Sequence, residues 1–335
     1  MRAPAFWWQA EPSLWAHLLR PSSLIYGAVA GRRMRRPGEK APLPIVCIGN
    51  FTTGGAGKTP AALAVARMLL DAGERPAFLS RGYGGRLPGP LRVEPHHRAA
   101  DVGDEPLLLA RMAPAVISRD RPAGARLAHE IGATVVIMDD GLQNPSLVKD
   151  CALAAVDGAA GIGNGFTLPS GPLRAPMEAQ WPAADAVLAI GGGAGGEAMA
   201  REAERRGKRA FRAGLMPDPA AAKALRGRRV LAFAGIGRPE KFFETLRTCG
   251  AAVEAARSFP DHHPYTEGDI AGLKAEAERQ GLQPVTTEKD LVRIAGMGAE
   301  PWPGLTGLPV RLYLEDEAGL RDFILGRIRE SRRGA

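Results

Sequence analysis

The sequence predicts an α/β protein: a mainly parallel sheet with helices on both faces, a second and smaller α/β unit, and an amphipathic N-terminal segment. Three observations predict it. From Pro44 onward, short apolar runs alternate with helical segments, as parallel strands joined by crossover helices require. One of these runs opens directly into a glycine-rich loop that a helix follows. The length of 335 residues exceeds the size at which single cores stop growing, so two domains are expected. With 45% hydrophobic and 24% charged residues the chain is globular and not disordered. The expected divisions are residues 1–36, 37–221, 222–318 and 319–335.

In residues 1–36, Leu14, Trp15, Leu18, Leu19, Ile25, Tyr26 and Val29 recur at helical steps, with Pro12 and Pro21 placed where the first turns of two helices tolerate them. A bilayer span needs about 20 apolar residues; His17, Arg20 and Pro21 interrupt the best window. The arginines Arg32, Arg33, Arg35 and Arg36 follow the apolar stretch, the reverse of a secretory signal. Three of the five tryptophans, Trp7, Trp8 and Trp15, lie in the first fifteen residues. Tryptophan favours the headgroup level and nearby arginines add roughly 1 kcal/mol each at an anionic leaflet. The segment therefore reads as a helix lying in the plane of a membrane, against the plainer expectation of a helix packed on the protein's own core.

Pro44–Gly49 reads as a buried strand, Asn50–Thr59 as the glycine loop, and Pro60–Ala72 as a helix. Strand, loop and helix in that order form a phosphate loop. Backbone amides across Thr52, Thr53, Gly54, Gly55, Ala56 and Gly57 cradle phosphates, Lys58 reaches the β- and γ-phosphates, and the Thr59 hydroxyl ligates Mg²⁺. Thr52 stands where the common pattern has glycine, so the loop is a variant. These features make the larger unit P-loop NTPase-like, with ATP and Mg²⁺ as its expected cofactors.

Further strands are expected at Ala77–Ser80, Ala115–Ile117, Thr134–Met138, Ala152–Val156 and Ala186–Ile190, with helices over Pro106–Met112 and Arg121–Ile131. The Thr134–Met138 strand ends in Asp139-Asp140-Gly141-Leu142-Gln143, where an acid holding Mg²⁺ belongs. Thr59, Asp139, Asp140 and Gln143 form the candidate metal set, with the choice between the two aspartates open. The smaller unit is expected over residues 222–318, from strands Val230–Ala234, Val253–Ala256, Pro284–Thr287 and Val310–Leu314, and Ala318–Arg329 is a closing helix. Cys47, Cys151 and Cys249 have no metal-ligand spacing and read as buried hydrophobes of a reducing compartment.

The formal charge of +8 is uneven. Residues 1–40 carry +5, residues 320–335 carry +3, and the 279 between them sum to zero. A neutral body argues against a nucleic-acid groove and for basic ends that meet an anionic surface. A membrane-recruited nucleotide switch would carry the same loop and acids, and lipid-independent turnover would distinguish it.

The motifs Gly54-Gly-Ala-Gly-Lys-Thr-Pro60, Ser80-Arg-Gly-Tyr-Gly84, Gly103-Asp-Glu-Pro106, Asp139-Asp-Gly-Leu-Gln143, Gly171-Pro-Leu-Arg174, Phe233-Ala-Gly-Ile-Gly237, Phe259-Pro-Asp-His-His263 and Thr286-Thr-Glu-Lys-Asp290 stand in this order. Together they resemble the tetraacyldisaccharide 4'-kinase family over nearly the whole chain. The resemblance implies transfer of the ATP γ-phosphoryl group to the 4'-hydroxyl of an acylated glucosamine disaccharide 1-phosphate, giving lipid IVA. It implies work at the cytoplasmic face of the bacterial inner membrane, where that lipid lies; no nucleic acid or protein partner is expected. It also implies a catalytic aspartate at Asp104, with His262 orienting it and Lys58 on the phosphates. Read locally, Asp104 is a helix N-cap. Tyr83, Arg81 and Arg174 are the expected substrate contacts, the arginines as bidentate phosphate ligands. Two positions depart from the family pattern: Ala175 replaces a glutamate, and Asn144 a histidine.

Overall fold

The computed structural model describes residues 3–9, 11–295 and 302–334. After a short 3-10 turn at Ala5–Trp8 come two helices, α1 (Leu14–Leu18) and α2 (Arg20–Met34), broken at Leu19 with Pro21 in the first turn of α2. The chain continues through β1 (Ile45–Asn50), α3 (Lys58–Asp71), β2 (Pro76–Ser80), β3 (Leu91–Arg92), α4 (Ala99–Val102), α5 (Asp104–Leu109) and β4 (Ala115–Ile117). It then forms α6 (Arg121–Glu130), β5 (Val135–Asp139), β6 (Cys151–Asp157), α7 (Met177–Gln180), β7 (Ala186–Ile190), α8 (Ala194–Arg205) and β8 (Arg209–Pro217). A second unit follows as α9 (Pro219–Leu225), β9 (Arg229–Ala234), α10 (Pro239–Thr248), β10 (Ala252–Ser258), α11 (Glu267–Gln280), β11 (Gln283–Thr287), α12 (Glu288–Ala295) and β12 (Thr306–Leu308). The last elements are β13 (Val310–Leu314) and α13 (Glu317–Arg333).

The large sheet runs β13-β8-β7-β6-β1-β5-β2-β4-β3, with only its edge strands β13 and β3 antiparallel to their neighbours. Side chains alternate between two cores because successive strand residues point to opposite faces. Val46 and Ile48 meet α3 residues Ala62, Val65 and Leu69 on one side, while Ile45 and Cys47 lie with Ala125 and Ala128 of α6 on the other. Burial pushes the Cys47 thiol up to about 11, as befits an inert packing residue. On either side of β1 the chain winds in opposite directions, so the crevice beyond its carboxyl end, the usual ligand site of such sheets, coincides with the glycine loop.

The small sheet, β10-β9-β11-β12, is parallel throughout. Val230, Ala232 and Ala234 pack with Phe242, Phe243 and Leu246 of α10; Leu231 and Phe233 pack with Ile270, Leu273 and Ala277 of α11.

One expectation needs correction. Val310–Leu314, expected in the small unit, pairs antiparallel with β8 and closes an edge of the large sheet; Thr306–Leu308 takes its place beside β11. The strand β8 itself was not foreseen, because charges interrupt its apolar pattern at Arg209 and Arg212. The closing helix also belongs to the large sheet. Leu320, Ile324 and Ile328 lie one turn apart in the core beside α3, each contributing roughly 1.5–3 kcal/mol by burial. Arg332 forks onto both oxygens of Glu74 at 2.7 Å and Arg327 reaches Asp185 at 3.1 Å. Part of the basic C-terminus is thus spent on docking this helix.

At the other terminus the large apolar residues face outward. Small residues, Ser23, Gly27 and Gly31, form the buried stripe of α2 and let it approach Thr167, Pro176 and Ala179 closely. Leu14, Trp15, Leu18, Leu24, Ile25, Tyr26 and Val29 are left 39–74% exposed. This inverts the amphipathic helix of a soluble core. The Trp7 indole donates to the Pro169 carbonyl at 2.9 Å. Among the described residues, no helix is long and apolar enough to cross a membrane.

Candidate active site

The glycine loop connects β1 to α3 through a left-handed Gly57 (φ 80) that caps the helix without a side-chain hydrogen bond. A Cβ there would sit 3.0 Å from Ile190, so both backbone and space require glycine. The first amides of α3 are left for an anion. Two segments brace the loop. Pro172 accepts a hydrogen bond from the Thr53 amide at 2.8 Å, and Arg174 Nε donates to the Thr52 carbonyl at 3.0 Å. Gln143, expected near the metal, has its amide nitrogen on the Asn50 carbonyl and on Gln180 Oε1, both at 2.7 Å. It supports the loop from the acidic turn. Arg174, expected at the acceptor, likewise lies against the glycine loop, its guanidinium 2.6 Å from Asp140 Oδ1.

The two aspartates have different surroundings. Asp140 has a left-handed backbone (φ 54) and faces two cations, Arg174 and, at 3.8 Å, Lys58 Nζ. Burial works to raise its pKa, but these charges outweigh burial and lower it. Asp139, at the end of β5, is buried, and its Oδ1 has no hydrogen-bond partner. Burial, then the charges of Glu105 and Asp140, push its carboxyl up to about 7. An orphaned, desolvated carboxylate oxygen on which the charge of Lys58 from the phosphate loop acts suits a cation. The residues therefore fit Mg²⁺, with Asp139 as the acid that has a free ligand atom.

The other half of the site is Asp104, 5% exposed. The cap of α5 is Gly103 (φ 89), so Asp104 is the first helical residue and its carboxylate is released from the expected capping role. It points instead into the small unit, where Arg293 forms a close ion pair with Oδ2 and His262 Nδ1 lies 3.5 Å from the same oxygen. His262 is held at φ 56, a strained conformation for a residue with a Cβ, while its amide donates to the Gly235 carbonyl at 3.1 Å. Burial would raise the Asp104 pKa, but the His262 hydrogen bond and the charges of Arg293 and Lys289 hold it well below the usual carboxylate range. The same hydrogen bond raises the His262 pKa.

Arg293 escaped the sequence reading. It donates to Asp290 Oδ1 at 2.6 Å and to the Gly235 carbonyl at 2.7 Å. Asp290 in turn accepts from the Gly235 amide at 3.0 Å and the Thr287 hydroxyl at 2.7 Å. The i,i+3 spacing of Asp290 and Arg293 directly after a strand was the available signal. Lys289 makes a second inter-unit pair with Glu105 at 2.7 Å. Glu105 and Lys289 both act on the charge of Asp139, so the nucleotide and acceptor halves adjoin. Tyr83 is exposed and sets its ring edge-on to His262 at 5.6 Å; Arg81 is also exposed, close enough for its charge to act on Arg121. His263 stays structural, stacked on Phe259 and bonded to Asp269 at 3.1 Å.

Because the folded pKa of His262 lies above the ordinary 6.5, its stabilising contribution is complete below pH 6.5 and is lost as pH rises through the raised value. The gap in melting temperature between the native chain and His262→Asn is expected to be widest near pH 5.5 and to narrow by pH 9. A gap constant with pH would remove the Asp104–His262 ion pair.

A model of the family Tetraacyldisaccharide-1-P 4'-kinase matches residues 15–329. The chain belongs to this family. A tetraacyldisaccharide 4'-kinase of Methylobacterium nodulans is 60% identical over 317 residues, covering 94% of this chain and 93% of that protein. Another, of Rhodopseudomonas palustris, is 51% identical over 99% of this chain and 97% of its own length. A crystal structure described as the "apo" form of LpxK from Aquifex aeolicus in complex with ATP superposes with a TM-score of 0.74 at 28% identity, covering 93% of this chain and 99% of that one. As a family member this chain is an ATP-dependent kinase.

Proposed function

We propose that the cleft between the two sheets transfers the γ-phosphoryl group of ATP to the 4'-hydroxyl of tetraacyldisaccharide 1-phosphate, forming lipid IVA for lipid A, at the cytoplasmic face of the inner membrane. One observation carries this reading: a phosphate loop whose Lys58 faces Asp140, and whose neighbour Asp139 feels the charges of Lys58, Glu105 and Lys289, lies near a desolvated carboxylate, Asp104, held ionised by His262 and Arg293 from the other unit. A nucleotide switch that only hydrolyses its ligand needs no such acceptor-side pair.

Phosphoryl transfer asks mainly for positioning and charge neutralisation. The amides from Gly54 to Thr59 and the Lys58 ammonium hold the phosphates. Lys58 and Arg174 exchange their contact with Asp140 for phosphate oxygens. Mg²⁺, when bound, supplies neutralisation of phosphate charge, and Asp139 Oδ1 with the Thr59 hydroxyl would hold it. Asp104 accepts a hydrogen bond from the 4'-hydroxyl, orients its oxygen toward the γ-phosphorus, and takes the proton as the new P–O bond forms; the γ-phosphate bond to ADP breaks in the same event. His262 and Arg293 both hold Asp104 Oδ2, which leaves Oδ1 for the hydroxyl, and Tyr83 offers an exposed ring for the sugar face. Incubation with ATP and the acylated disaccharide in detergent micelles is expected to yield a doubly phosphorylated lipid. ATP turnover without that product would establish the switch instead.

The exposed residues of α1 and α2 support placement on a membrane. The triple variant Trp15→Ser/Ile25→Ser/Val29→Ser, all surface positions, is expected to lower liposome partitioning at least about 100-fold, since each apolar side chain contributes roughly 1.5–3 kcal/mol. Unchanged co-sedimentation with vesicles would refute the anchor.

A further inference from the structure

A cavity of about 350 Å³ lies where the C-terminal end of α2 meets the N-terminus of α6 and the turn after the acidic motif. Arg33, Arg36, Arg119 and Arg121 line it, with Asn144 and Ser146 as neutral polar neighbours. The one acid in its wall, Asp120, has its carboxylate turned to the Ala123 amide at 3.3 Å as the cap of α6. Arg33, Arg36 and Arg119 are exposed. Arg121 is 3% exposed; one guanidinium nitrogen reaches the Asp139 carbonyl at 3.4 Å and the other, Nη1, has no partner. The charges of Asp139 and Asp140 act on this guanidinium, yet its Nη1 donor stays unmet, so hydrogen-bonding capacity remains for an anion.

We propose that this cavity is a second anion site, separate from the phosphate loop, that takes a lipid-borne phosphate. Four guanidiniums around one small cavity match the several oxygens of a phosphate through planar, bidentate donors, which neither a cation nor a neutral sugar would use. Arg33 and Arg36 sit at the end of the helix whose apolar face is exposed, so the ligand arrives from the same lipid surface. Through Arg121 the site backs onto Asp139, which couples lipid engagement to the nucleotide side. Two lipids carry this chemistry: the acceptor, through its 1-phosphate, and an anionic phospholipid headgroup. The proposal rests on the lipid-kinase reading above, and its test has an arm independent of turnover.

The probe variant is Arg36→Gln/Arg119→Gln, two exposed side chains whose loss leaves the cores intact. Its control is Arg32→Gln/Arg35→Gln, which removes the same charge from positions that do not line the cavity. In one arm, KM is measured in neutral detergent for acceptors with and without the 1-phosphate. A rise of about tenfold for the phosphorylated acceptor only, and only in the probe variant, assigns the site to the acceptor. In the other arm, flotation is measured with phosphatidylcholine vesicles with and without phosphatidylglycerol. Selective loss of the phosphatidylglycerol-dependent fraction in the probe variant assigns it to the phospholipid. Probe and control behaving alike in both arms overturns the site. If the native chain phosphorylates neither acceptor, the kinase reading fails, and flotation alone then decides the cavity.

Discussion

Asp104→Ala is expected to lower turnover by about 10²–10⁴-fold, the usual contribution of a positioned proton acceptor, while ATP affinity stays within about twofold. The separation follows from the geometry. Asp104 belongs to α5 and faces the small unit, whereas the proposed nucleotide contacts lie on the β1–α3 loop and the end of β5. Alanine also leaves Arg293 and His262 without their shared carboxylate, so the fold itself is weakened. Asp104→Asn keeps the volume and one acceptor oxygen and serves as the cleaner variant. Single-turnover transfer with parallel nucleotide titration reads both quantities. Native-like turnover in the asparagine variant would remove Asp104 from the chemistry.

Arg293→Met is expected to cost about 3–5 kcal/mol in denaturant unfolding, because two buried carboxylates, Asp104 and Asp290, lose the cation between them. A merely structural arginine would do the same, so a second readout is needed. Arg293 is among the charges that hold the Asp104 pKa down. Without it that pKa rises, and the acid limb of kcat/KM moves to higher pH. Arg293→Lys, which restores the charge but not the fork, is expected to return most of the limb and only part of the stability. An acid limb that stays in place in the methionine variant would confine Arg293 to scaffolding.

The phosphate loop was legible because everything that makes it one is contiguous: an apolar strand, glycines that tolerate left-handed backbone, then Lys58 and Thr59 at a helix start. The strands β1, β2, β4, β5, β6 and β7 were legible for a related reason, since strands buried on both faces read as uninterrupted apolar runs. Asp104 and His262 were named through the motifs of a family, while the local pattern around Asp104 pointed to a cap that Gly103 in fact provides.

Other features had no local signature. An apolar run shows that Val310–Leu314 is a strand but not which edge it joins, and the answer depends on β8, whose arginines hide it. The N-terminal stripe shows a helix but not which face is buried; close packing of Ser23, Gly27 and Gly31 turned the large apolar side outward. That Asp140 is the acid engaged by Lys58 and Arg174, while Asp139 keeps an oxygen without a partner, is a matter of tertiary contacts. By itself, the sequence determined the elements and the phosphate chemistry, because hydrogen-bonded local structure and glycine conformation are written within a few neighbouring residues. Only the tertiary structure decided which charges are buried together, Arg293 with Asp104 above all, because desolvation and Coulomb energy depend on distances between residues 189 apart in the chain.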